Sequence, residues 1–209
     1  MNQTSLNSRV VTVLALFLLS SCATYKQQFA IEPLAAESKN EQPKHSFYIA
    51  GGIGNMNSES NSEILDLLKS HLEKANEKST LIFTGDNISQ EEDDWEKDKM
   101  FIDKQVALTK NFKGNTIFIP GNNEWKSYNT KKIEKTEEYL DDMDKDGLKF
   151  YPKNVCPIEH QVINDDLDLI LVDSKWFISN WSRIKDINKK CTNVVTRRRF
   201  AEELEGYIN

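Results

Sequence analysis

Apolar and polar positions fall along this chain in two kinds of block. Short runs, SFYIAGG (46–52), TLIFTGD (80–86) and NTIFIPGN (115–122), are rich in aromatic and β-branched residues and stop at glycine. They predict three buried strands. Between the first two, SESNSEILDLLKSHLEKA (58–75) puts Ile64, Leu67, Leu68 and Leu72 on one helical stripe, with Ser58 or Asn61 as cap. After the second, DKMFIDKQVALTKNF carries a stripe through Phe101, Val106 and Leu108. A charged helical stretch follows near 130–145, then two strands around 157–163 and in LDLILVDS (167–174), and TRRRFAEELEGYI (196–208) ends the chain as a helix. Strands alternating with helices imply β-α-β units, and so an α/β fold with a layered sheet.

The first residues follow a different pattern. Arg9 precedes the apolar run Val10–Leu19, which is too short to cross a bilayer but suits an export signal. It ends in Leu19-Ser20-Ser21-Cys22, which resembles the bacterial lipobox, in which the cysteine is acylated and becomes the mature N-terminus. The plainer alternative is a signal peptide cut nearby, with Cys22 incidental. The lipobox reading makes 1–21 a lipoprotein signal peptide and 22–44 a flexible tether without apolar period. It leaves 45–209 as one folded domain, held to a membrane of a bacterial cell envelope through lipid on Cys22.

Net charge is −6, with both signs interspersed and Arg197-Arg198-Arg199 the only basic run. That run opens a helix bearing Glu202, Glu203 and Glu205, a solvated face rather than a phosphate track, so no nucleic-acid partner is expected. Outside the cytoplasm Cys156 and Cys191 are either a disulfide or two separately buried thiols.

The first three strands share one feature: each ends in glycine and polar residues, AGGIGN, TGDN and PGNNE. In open α/β sheets sites assemble at the carboxyl ends of strands, so three such ends define one rim. Taken singly, Asp86, Asn87 and Asn122 are ordinary turn residues. Taken together, strand-GDN followed by strand-PGNNE resembles the calcineurin-like metallophosphoesterases, including their purple acid phosphatase branch. The likeness covers 46–209: Gly85-Asp86 matches the GD block, and Gly121-Asn122 with Glu124 matches the GNH block and its following acid. LILVDSKWFISNW looks like members that carry an aspartate and aromatics there.

The resemblance implies hydrolysis of phosphate esters at two divalent metal ions, with Asp86 bridging them and Asn122 holding one. It implies a histidine at position 123 as acid or electrostatic partner of the leaving oxygen. The departures fall on that chemistry. Gly52 stands where the first metal-binding aspartate belongs, Ser89 where the acid phosphatase branch has tyrosine, and Asn123 where the histidine belongs. His45, His71 and His160 are the chain's three histidines, and none falls at a strand's carboxyl end. A dinuclear centre needs about seven or eight protein ligands, and only Asp86 and Asn122 are credible ones here. The expectation is therefore an N-terminal half of the phosphoesterase fold with a vestigial metal rim, no tightly bound ion and impaired or absent catalysis. One sheet face is then short of cover, which implies association. Two alternatives stand beside this: an active phosphohydrolase completed by a second chain, and a lipid-anchored binding or structural protein. Gly52-Ile53-Gly54 also begins like a dinucleotide loop, but Asn57 occupies the third glycine position.

Overall fold

A computed structural model describes residues 43–55, 62–90, 94–126, 130–181, 184 and 187–209. The signal segment, Cys22, most of the tether and the caps Ser58 and Asn61 lie outside these residues. The described fold belongs to one compact unit, Pro43–Asn209.

Four parallel strands stand side by side in chain order: β1 (Ser46–Ala50), β2 (Ser79–Phe83), β3 (Asn115–Phe118) and β4 (Leu148–Phe150). Three helices make the crossovers: α1 (Ser62–Leu72), α2 (Trp95–Leu108) and α3 (Lys131–Asp142). Right-handed crossovers between successive neighbours place all three helices on one face. There Leu81, Phe83, Phe118, Leu148 and Phe150 pack with Leu72, Ile102, Ile133 and Leu140 into the main core. The sheet is of the α/β layered kind, as the alternation of patterns predicts.

The opposite face is covered by an antiparallel hairpin, β5 (Ile158–Asn164) and β6 (Leu167–Val172). Its Leu169 and Leu171 pack with Ile82 and Ile117 into a smaller core. The face is thus partly roofed, where the sequence suggests a sheet short of a partner; Phe47 and Ile49 on β1 stay 38% and 69% exposed. A short helix α4 (Ser174–Ile178) follows β6, and α5 (Arg197–Ile208) closes the chain. Cys156 and Cys191 form a disulfide, tying the approach to β5 to the segment before α5. Among the described residues no helix is long and apolar enough to cross a membrane.

Two helical faces differ from those read in the sequence. On α1, Leu72 is fully buried and Leu65 and Leu68 are partly buried, while Ile64 and Leu67 are 59% and 60% exposed. The helix lies over the open side of the sheet with α2 as its helical neighbour, so only a narrow stripe finds cover. On α2 the buried residues are Asp98, Ile102 and Gln105, with Phe101, Val106 and Leu108 at the margin. Polar side chains occupy that face because they meet partners inside: Asp98 pairs with Lys132 of α3 at 2.7 Å, and Gln105 Nε2 donates to the Asn87 carbonyl at 2.7 Å. The short strand β4 and helix α4 are additions that the sequence patterns do not announce.

Candidate functional site

The loops that leave β1, β2 and β3 meet at the carboxyl edge of the sheet and interlock. Gly52 N–H donates to the Gly85 carbonyl at 3.0 Å, and Gly54 N–H to that of Asp86 at 2.8 Å. Gly85 and Gly121 lie back to back: a Cβ on Gly85 would stand 2.6 Å from Gly121 Cα, far inside contact distance. Gly85 and Asp86 both have positive φ, 100° and 55°. That double left-handed turn points the chain out of β2 and holds Asp86, half-buried, at the rim.

Glu124 organises the whole arrangement. Its side chain is fully buried, and its two oxygens accept three backbone N–H groups: Gly121 at 2.7 Å, Asp86 at 3.2 Å and Asn87 at 2.8 Å. Burial pushes its pKa up; the hydrogen bonds oppose that rise, and the nearby Asp86 charge adds to it. The acid therefore staples the β3 turn to the β2 turn from inside. Asn123 does the same from the other side: its N–H donates to Asp86 Oδ1 at 3.0 Å, and its buried amide donates to the Ile88 carbonyl at 2.8 Å. Asn87 Nδ2 completes the lacing with a bond to the Ile119 carbonyl at 2.9 Å.

Each residue singled out from the sequence has a place here. Asp86 and Asn122 lie on the two apposed turns, Asp86 half-buried and Asn122 exposed. Gly52 has φ +73° and open space around its missing Cβ, with no atom within 4 Å. Room for a side chain exists there, but no donor fills it. Asn123 is turned inward and buried, and Ser89 is buried as well. Among the described residues no three histidine, cysteine, aspartate or glutamate side chains are grouped to hold an ion. The donor set does not fit a dinuclear centre: both Glu124 oxygens and Asp86 Oδ1 already serve backbone N–H groups, and Asn123 spans the two loops. The described hydrogen bonds of the rim hold its loops in register.

A second buried acid joins the rim from the hairpin side. Asp173, just past β6, is 2% exposed; Oδ2 accepts from Trp125 Nε1 at 2.7 Å, and Oδ1 caps α4 through Trp176 N–H at 3.1 Å. The sequence marks it only as a strand-end aspartate; its partner Trp125, 48 positions away, is visible only in the fold. Burial raises its pKa from 3.8 to about 7, against the pull of its hydrogen bonds and with a further push from the Glu124 charge. The folded form thus holds this proton when the unfolded chain has released it, so its contribution is complete below about pH 4 and lost as pH rises through about 7. The gap corresponds to roughly 4 kcal/mol. Urea unfolding is expected to show the protein more stable at pH 5 than at pH 8, and Asp173→Asn should flatten that difference. Parallel pH curves for the two proteins would contradict the assignment.

A cleft of about 570 Å³ lies at the other end of the strands, between the sheet and the hairpin tip, lined by Lys78, Asn115, Lys149, Gln161 and Asp165 among others. Its lysines and carboxylates are mixed, and it shares no residue with the rim. Comparison of the chain with protein-family models, with curated proteins and with solved structures finds no match.

Proposed function

We propose that this protein is a lipid-anchored, catalytically degenerate relative of the calcineurin-like metallophosphoesterases, a binding or structural protein rather than a phosphatase. The observation that carries the reading is the use of Glu124: the acid that follows the GN motif holds the Gly121, Asp86 and Asn87 N–H groups, so the two motif loops are joined by it directly. The motif order, Gly85-Asp86 on β2 and Gly121-Asn122 after β3, supports descent from a metal rim; Gly52 and Asn123 support loss of its chemistry. Anchoring rests on the lipobox ending at Cys22, and export is supported by the Cys156–Cys191 disulfide, a bond that persists outside reducing compartments.

One preparation tests both halves. Purified protein is expected to carry far less than one equivalent of iron, zinc or manganese. Its turnover of a generic phosphomonoester should be no higher than that of Asp86→Ala, and Cys22→Ser should move the protein from the membrane to the soluble fraction. Stoichiometric metal together with hydrolysis abolished in Asp86→Ala would overturn the degenerate reading and favour an active phosphohydrolase.

A further inference from the structure

Among the described residues β1 is an edge strand of the sheet, and its own sequence carries no residue of the kind that keeps an edge from pairing. Its sequence, SFYIA, holds no charge and no proline. Hydrogen bonds from Ser46 N–H to the Lys78 carbonyl and from Thr84 N–H to the Ala50 carbonyl turn Ser46 and Ala50 toward β2. Successive residues of a strand turn their backbone groups to opposite sides, so the N–H and C=O of Phe47 and Ile49 point away from the sheet. Among the described residues no strand meets them there.

The same two residues carry the exposed apolar side chains of the strand, and α1, which follows β1, adds Ile64 and Leu67. Together the four offer on the order of 400 Å² of apolar surface; a standard interface buries about 800 Å² per partner, somewhat over half of it apolar. Phe47 and Ile49 supply about half of this on the hairpin side of the edge and Ile64 and Leu67 the rest on the helix side, so the match to one side of a stable dimer requires both faces of the seam to be buried.

We propose that the β1 edge is a homodimer interface, in which β1 pairs antiparallel with β1 of a second copy about a two-fold axis at Tyr48. Phe47 then lies opposite the partner's Ile49, and Ile49 opposite the partner's Phe47. Each pair exchanges both N–H···O=C bonds, so the four outward groups of each copy are all used. The two Phe–Ile pairs stack on the face that the hairpin leaves uncovered. The arrangement is self-complementary and closes on itself, as an isologous interface must.

Sedimentation of the full chain in mild detergent is expected to show a dimer. Ile49→Lys, which places a charge on the edge, and Ile49→Pro, which removes one outward N–H, should each weaken it at least about tenfold with far-ultraviolet circular dichroism unchanged. Exchange of the Phe47 and Ile49 amides should slow at least about tenfold between dilute and concentrated protein. A monomer at every concentration overturns the proposal, as does a dimer indifferent to both substitutions. Concentration-independent protection of the two amides also overturns it, by assigning the edge to another segment of the same chain. None of these readouts depends on metal content or turnover, so the proposal and the degenerate-rim reading fail separately.

Discussion

Replacing Glu124 by alanine is expected to destabilise the protein by on the order of 4 kcal/mol, the largest effect of any rim substitution. Three backbone N–H groups, from Gly121, Asp86 and Asn87, end on this one carboxylate. A buried donor left without an acceptor costs about 1–3 kcal/mol, and a water entering the vacated space recovers part of the sum. Glu124→Gln keeps one oxygen for Gly121 and Asp86 but turns an NH₂ toward the Asn87 N–H, so it should fall between alanine and wild type. Asn122→Ala, on an exposed position of the same turn, should change stability by less than about 0.5 kcal/mol. Urea midpoints for the three variants check the order. An acid kept for metal-site chemistry rather than for loop stapling would give a Glu124→Ala protein nearly as stable as wild type.

Loss of the disulfide should be comparably severe. Cys156 and Cys191 are 35 positions apart, and closing a loop of that length restricts the unfolded chain by about 4 kcal/mol in the chain-entropy estimate. For a domain of this size that is roughly 10 °C in Tm. The bond also has local consequences. It fixes the segment before α5 near β5, where His160 stacks on Tyr207 at 4.8 Å between ring centroids. The double variant Cys156→Ser with Cys191→Ser is expected to melt at the lowered temperature without added reductant, and wild type should join it only when reduced. Equal midpoints for all three samples would remove the disulfide from the stabilising interactions. Pro157, next to Cys156, accepts from the Asp173 N–H, and Asp173 accepts from Trp125, next to Glu124, so the double loss is expected to depart from the sum of the two.

Legibility from the sequence varied with the kind of question. β1, β2 and β3 end within a few residues of the glycines that mark them, because Gly85 and Gly121 must be bare for the turns to touch. That Gly52 and Asn123 offer neither a carboxylate nor an imidazole needs no fold to be seen, since a side chain that is absent is absent in any conformation. Glu124 was recognisable as a motif acid, whereas its task was not: its partners are backbone groups up to 38 positions away, and every residue offers the same N–H. Asp98 and Gln105 were hidden for a similar reason. A polar residue on a helix reads as solvent-facing until its partner, here Lys132 or the Asn87 carbonyl, is brought to it.

The sequence by itself determined the alternation of strands and helices, the glycine-marked turns of the rim and the identity of the groups left there to act. These are properties of short segments, set by side-chain period and by which atoms a residue possesses. Only the tertiary structure decided which flank of α1 is covered, what Glu124 and Asp173 hold, that Cys156 meets Cys191 and that the hairpin stops short of β1. Periodicity sets the spacing of apolar residues but not the rotation of a helix against its neighbours. A hydrogen bond or disulfide between distant positions exists only once packing has brought its two ends together.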